Sequence, residues 1–403
     1  MPPTPSFWLT HSSPPEFHTA ESLPSRTQAV VIGGGLTGVS AAYWLRRNGV
    51  EVTLLERRTL SGGATGRNGG HLVPGPAENF ADAVRRHGPQ TARAIWDFTL
   101  KTTEAIKTFV AEHNVECDLS FGGTAILALY ADELPHLQKN LELLAQHGLA
   151  ADYWDAATCI QHTHSDHFLG GLYFPFAGQL WPAKLVFAIA GQAAHSGAII
   201  HPHTDVQAVE RTNGRLKVKT NRGVIETEAV VHATNAWARG LIPRLEKIIT
   251  PVRGQVIVTS PMPRLWPFGL VTNLGYEYWV QRPDGRIVLG GMRWKSPTQE
   301  MNNDDDASLN PQVSAGLREF LPGHFPALRN VEIEGEWTGI MGFTPDFNPL
   351  VGPLPNRPGE YIAAGFSGHG MPLTFYAGKA VAEMIAGREP EVFVEAFRPN
   401  RFV

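Results

Sequence analysis

Apolar positions along the chain change their period in ways that mark out elements. An unbroken apolar run, Ala29 to Ile32, leads into a glycine-rich turn, after which Leu36, Val39, Ala42, Tyr43 and Leu45 recur at helical spacing up to Asn48-Gly49. A second buried strand is expected over Val50 to Leu55, ending in Glu56, so the pattern predicts a strand–helix–strand opening. Between Asn79 and His113, Phe80, Val84, Ile95, Phe98, Ile106 and Val110 keep helical spacing across a break at Gly88-Pro89. A strand is expected over Thr124 to Tyr130 and a helix over Leu134 to Gln146. Another helix, entered through a first-turn proline, is expected over Pro182 to His195. Strands then follow at Arg215 to Thr220, Val224 to Ala229, Val252 to Thr259, Tyr276 to Gln281 and Arg286 to Gly290, the last two joined by the hairpin signal Asp284-Gly285. The chain closes with a strand (Tyr361 to Ala364), a glycine turn and a helix from Pro372 to Ala386. Residues 1–25, rich in Pro, Ser and Thr, read as an extended arm anchored by Phe7 and Trp8.

Composition narrows the class. The chain has 403 residues with 34 Lys and Arg against 38 Asp and Glu, a net charge of −4. Nucleic-acid and anionic-membrane binders draw on an excess of basic side chains that is missing here. The uncharged stretch Thr27 to Leu45 approaches membrane-spanning length, but its four glycines and its strand-then-helix division argue against a span. Cys117 and Cys159 are too few for a disulfide framework or a cysteine zinc site, and the opening residues lack a secretory pattern. The expectation is a soluble cytoplasmic protein of two or three domains.

Three glycine clusters carry the chemistry. Gly33, Gly35 and Gly38 form GxGxxG after a buried strand, where Leu36 and Thr37 open a helix whose amides face an incoming pyrophosphate. Glu56, followed by Arg57, ends the next strand, where a carboxylate accepts both ribose hydroxyls and repels a 2′-phosphate. Ser61 to Gly70 is the second cluster, in which Ala64, Thr65, Arg67, Asn68, Gly69 and Gly70 suit further phosphate or ring contacts. The third, Gly365 to Gly370 with His369 and Met371, precedes the last helix and presents a positive helix end. His162, His164, Asp166 and His167 prompt a metal test. On a strand His162 and His164 would share a face, yet nothing else converges there, and no metal is expected. Asp304, Asp305 and Asp306 read as a solvated loop and helix start.

Together the opening, Ala64 to Gly70, His232 to Trp237 and Ala363 to Met371 resemble the D-amino acid oxidase superfamily of FAD enzymes, in the pattern of its glycine, sarcosine and γ-glutamylputrescine oxidase branch. The resemblance spans nearly the whole chain. It implies an α/β fold: a Rossmann-like FAD-binding domain from residues 26–78, 182–249 and 336–403, and a mixed antiparallel-sheet substrate domain from 79–181 and 250–335. It places Val206 by the adenine, Thr234 and Asn235 by the pyrophosphate, and Trp237, Gly342, Gly365 and Gly368 to Met371 around the cofactor. Gly339 and Arg67 stand where relatives bond flavin covalently, so FAD is expected to be held without a bond.

Departures from the family pattern bear on substrate. Met341 occupies the place of a carboxylate-binding arginine and Pro372 that of a carboxylate-binding lysine. The pattern therefore points to an amine, or an amine with a distant carboxylate, oxidised by hydride loss from the carbon beside nitrogen. Oxygen or another acceptor would take the electrons. Tyr276 and Tyr278 share a strand face and, with Trp279, are candidates to wall the pocket. His369 is a candidate at the flavin edge, Arg253 the first candidate for a remote acid group and Arg293 the second. The rival readings are a dehydrogenase of an amino or hydroxy acid and a non-catalytic or partner-dependent flavoprotein.

Overall fold

A computed structural model describes residues 2–15, 22–212 and 214–402. Its first sheet has six strands in the order Leu350–Pro353, Glu360–Ala364, Ala229–His232, Ala29–Ile32, Val52–Leu55, Ile199–His201. All neighbours run parallel except Leu350–Pro353, which returns antiparallel to its partner. The apolar run Ala29–Ile32 is continuous because both faces are covered. Ala29 and Val31 join the core formed with the helices Leu36–Arg47, Pro182–His195 and Thr374–Ile385. Val30 and Ile32 pack instead on a three-stranded antiparallel sheet, Val206–Thr212, Arg215–Thr220 and Gly223–Thr227. The expected strand Val224 to Ala229 is two strands in the structure: Gly223–Thr227 ends one sheet and Ala229–His232 begins another.

The second large sheet has eight strands in the order Ile333–Phe343, Thr250–Thr259, Ile287–Gly290, Glu277–Gln281, Gly269–Thr272, Thr124–Ala128, Gly170–Phe174, Asp152–Asp155. The Asp284-Gly285 hairpin is present, with Gly285 at φ +86°. One face packs on the helix Pro311–His324 through Trp279, Trp266, Ile257 and Leu289. Strand alternation turns Tyr278 to the other face. Ile333–Phe343 pairs with Thr250–Thr259 along its length, so the expected boundary at residue 336 falls inside a strand of this sheet. The helix Pro89–Glu112, expected with the substrate part, sends Ile95, Phe98, Ile106 and Phe109 into the core around the first sheet.

Residues of the arm are not simply extended. Phe7–Thr10 makes one helical turn, and Phe7 and Trp8 are buried against Trp181 with Arg282 lying over all three rings. Asp304, Asp305 and Asp306 bind three separate partners, Arg239, Ser308 and Arg58. His162 lies on the helix Ala156–Thr163 stacked on Trp154, and His164 caps that helix in a left-handed conformation, so the two share no strand face. Among the described residues no group of three or more His, Cys, Asp or Glu is placed to hold a metal, and no helix is long and apolar enough to cross a membrane.

Candidate active site

Between the six-stranded sheet and the inward face of the eight-stranded sheet lies a cavity of about 1200 Å³. The first glycine cluster forms one end because only glycine fits its contacts. Gly33 has φ +110°, and a Cβ there would lie 2.6 Å from the Ala233 carbonyl oxygen. A Cβ on Gly38 would lie 1.8 Å from the Gly33 oxygen, which is why helix and strand approach so closely. The second cluster is knitted to the first: Ser61 N donates to Gly34 O at 2.9 Å, and Leu36 N donates to Thr65 Oγ1 at 3.2 Å. Glu56 accepts from Gly34 N and Arg58 N, each at 2.7 Å, and lines the cavity beside Arg57, whose guanidinium stacks on Trp237 at 4.3 Å. Val206, Thr234 and Asn235 continue that wall.

Asn235 closes the circle. Its Oδ1 accepts from Gly365 N and Phe366 N, at 2.9 and 3.4 Å, tying the third cluster to the end of the strand Ala229–His232. Two buried hydroxyl oxygens on the cavity wall, Thr234 Oγ1 and Thr374 Oγ1, have no hydrogen-bond partner among the described residues. Buried polar atoms of this kind are normally satisfied. A glycine cradle that any Cβ would fill, a carboxylate at the strand end and unpartnered polar groups along one connected space fit FAD, the group implied by the sequence.

At the other end the walls are side chains. Tyr278 stands over Gly69 and Gly290, at each of which a Cβ would come within 2.6 Å of its ring. His71 meets that ring edge to face at 5.8 Å. Burial pushes the imidazoles of His71 and His369 down to about 4, so both are neutral near pH 7. Tyr276, Met341, Phe343 and Arg293 complete this end. The Arg293 guanidinium lies 5.3 Å from the Tyr276 ring and 5.7 Å from the Phe343 ring and donates to Gln299 O at 3.4 Å. No carboxylate among the described residues pairs with it.

Of the residues singled out in the sequence, Gly33, Gly35, Thr37, Glu56, Arg57, Ala64, Thr65, Arg67, Asn68, Gly69, Val206, Thr234, Asn235, Trp237, Gly368, His369, Gly370 and Met371 line the cavity, with Tyr276, Tyr278 and Met341. Leu36, Gly38, Gly70, Gly342 and Gly365 lie behind the wall and support it. Gly342, for example, leaves room for the Asn235 side chain, and Gly70 for the Leu180 carbonyl. Arg67 lines the cavity, with its Nε and Nη1 donating to the carbonyls of Gly62, Thr4 and Thr338.

Two expectations need correction. Arg253 faces away from the cavity, because strand alternation gives Gly254 and Val256 the inward positions. Its guanidinium is buried against Glu300 and donates to Ser308 Oγ at 3.0 Å. Trp279 is fully buried in the core on the far face of the sheet and walls nothing. Sequence reasoning missed His71 and Thr374. Their chemistry comes from elements distant in the chain, although His71 does follow the second glycine cluster directly.

Comparison with known proteins agrees with this geometry. The family described as "DAO: FAD dependent oxidoreductase" matches residues 28–384. The chain is 29% identical over 381 residues to a probable oxidoreductase OrdL of Haemophilus influenzae, covering 90% of this chain and 84% of the relative. It is 27% identical to the γ-glutamylputrescine oxidoreductase of Escherichia coli, covering 89% and 83% of the two chains. Among solved structures, glycine oxidase from Geobacillus kaustophilus superposes with TM-score 0.81 at 20% identity, covering 93% of this chain and 98% of that one. L-proline dehydrogenase from P. horikoshii superposes with TM-score 0.78 at 26% identity, covering 94% and 98%. This chain belongs to the DAO family of FAD-dependent oxidoreductases.

Proposed function

We propose that the protein oxidises an amine at the carbon beside nitrogen, and that its substrate carries an anionic group remote from that carbon. Bound FAD would supply the acceptor for the hydride lost from that carbon, leaving an imine that water hydrolyses, with oxygen or another acceptor restoring the cofactor. The residues that would hold FAD are the three glycine clusters, Glu56, Thr234 and Asn235, without a covalent bond. Two cysteines that are buried and unpaired support a reducing cytoplasmic setting.

The observation that carries the substrate reading is the side-chain composition of the far end. Met341 lines it and cannot pair with a carboxylate, and Pro372 lies nearby, so nothing at those two positions would clamp an α-carboxylate. Arg293, which has no carboxylate partner among the described residues, lies there near the rings of both Tyr276 and Phe343. An amine must lose its proton before its lone pair can assist hydride departure. Burial keeps the imidazoles of His71 and His369 neutral, so this part of the wall stays uncharged. Tyr276 and Tyr278 would enclose the alkyl chain and exclude water.

Anaerobic mixing of the flavin-loaded protein with three sets of compounds tests the reading: amines bearing a distal carboxylate, the same amines without it, and 2-hydroxy acids. We expect the visible flavin band to bleach with the first set at the lowest concentrations. Bleaching by hydroxy acids with no response to amines would overturn it.

A further inference from the structure

The arm ahead of the first strand makes contacts that neither the family assignment nor the substrate reading requires. Thr4, Ser6 and Trp8, at alternate positions, all reach the second glycine cluster or the arginine within it. Ser6 Oγ donates to Gly66 O at 2.5 Å, Trp8 Nε1 donates to Asn68 O at 2.6 Å, and Thr4 O accepts from Arg67 Nη1 at 2.8 Å. The same arginine donates from Nε to Gly62 O at 2.9 Å and from Nη1 to Thr338 O at 2.8 Å. Thr338 N donates in turn to Thr4 Oγ1 at 2.9 Å, and Thr4 N to Asp306 O at 2.8 Å. Trp8 packs closely on Gly70, its ring 3.2 Å from where a Cβ would stand. All three arm residues are at least nine-tenths buried, yet none of them lines the cavity.

We propose that residues 4–8 are a clasp on the back of the cofactor loop that sets how long the protein retains FAD. The physical reason is the trans peptide, in which a carbonyl and the following N–H point to opposite sides. Ser6 fixes the Gly66 carbonyl inside the short helix Ala64–Arg67, and Trp8 fixes the Asn68 carbonyl, which turns the N–H of Gly69 the other way, toward the face that lines the cavity; Arg67 Nε does the same for Gly62 and Gly63. The segment Ser61 to Gly70 contains five glycines, and beside its bonds to Gly34, Leu36, Leu180 and Trp337 the two donors from the arm further narrow the conformations those glycines allow. Arg67 links the clasp to the strand Ile333–Phe343, so the arm joins the cofactor loop to the eight-stranded sheet. Ser6, Trp8 and Arg67 are positioning residues; they act on the cofactor through the backbone they hold.

Ser6→Ala and Trp8→Phe, alone and combined in the full chain, each remove one donor, and the second keeps an aromatic ring at the position. His11→Ala is the control: it removes a ring tilted against Phe7 but touches no carbonyl of the cofactor loop. Flavin release is followed by the rise in free-FAD fluorescence after dilution of the loaded protein, and thermal midpoints are taken with and without FAD. The expected result is release at least tenfold faster in the double variant and about threefold faster in Ser6→Ala. His11→Ala should stay within twofold of the parent, and the double variant should lose more thermal midpoint with FAD than without. If the double variant does not fold, Ser6→Ala carries the test. Release within twofold of the parent in every folded variant, or equal loss of midpoint with and without FAD, would overturn the clasp.

Discussion

The two ends of the cavity are built from different materials. At the nucleotide end the wall is backbone. Gly33, Gly34 and Gly35 bring main chain to the surface, and Glu56, Thr65 and Asn235 spend side-chain oxygens on holding neighbouring amides. At the other end the wall is side chain, from Tyr276, Tyr278, Arg293, Met341 and Phe343 on neighbouring strands and connections of the eight-stranded sheet. Backbone recognition tolerates almost no change, because each position is already in contact. Side-chain recognition can be rewritten residue by residue without disturbing the ladder beneath it. This is how one fold keeps a fixed cofactor and varies its substrate.

If that contrast holds, the largest effect should come from Gly38→Ala. Its Cβ would sit 1.8 Å from the Gly33 oxygen, far inside contact distance, and neither partner is a side chain that can turn away. We expect a cost of about 3 kcal/mol or more and flavin content below a tenth of the parent's, read from the visible spectrum of the purified protein. Normal flavin content would mean that the cradle is softer than its contacts indicate. Next in size is Arg253→Met, which strands the buried Glu300 carboxylate. About 3 kcal/mol of unfolding free energy should be lost in a urea titration, with no selective rise in KM for acid-bearing amines. A selective rise would return Arg253 to the substrate site. Arg293→Met should do the converse. KM for an amine with a distal carboxylate should rise by a factor corresponding to about 2 kcal/mol, with stability and flavin spectrum unchanged. An equal change for the amine lacking the carboxylate would remove the anchor.

Legibility follows the same division. GxGxxG with its strand, its helix and Glu56 is readable because a tight turn, a close approach and a strand end have fixed local spacings, and the second and third clusters are readable by density and order. Tyr276 lines the cavity with Tyr278, but not by alternation: it precedes the strand Glu277–Gln281 in a helical conformation. What alternation cannot supply is which face looks into the cavity, and so Arg253 and Trp279 were expected at a wall that belongs to Gly254 and Tyr278. Nothing local to Arg67 shows that its Nη1 is taken by Thr4 and Thr338, from opposite ends of the chain. His71 leaves no local signal of its chemistry, since its isolation depends on Tyr278 and Gly269 about two hundred residues later.

The smallest predicted effect addresses the side-chain end directly. His71 and His369 have folded pKa values of about 4, below the ordinary 6.5, because burial penalises the imidazolium. An unfolded chain would take up these protons as pH falls through 6.5, whereas the folded chain would not until near 4. Stability contributed by the neutral rings is therefore complete above about 6.5 and is lost as pH falls from there toward 4. Between pH 7 and pH 6 the loss is about 0.7 kcal/mol for each histidine, from the linkage relation with an unfolded value of 6.5. His71→Asn, which keeps a polar side chain but cannot titrate, should reduce the pH 7 to pH 6 drop in urea-unfolding free energy by that amount. Other titrating groups are common to both proteins and cancel in the difference. An identical drop in parent and variant would mean that His71 reaches water when folded, and the far end of the cavity would then be wetter than its buried ring nitrogens imply.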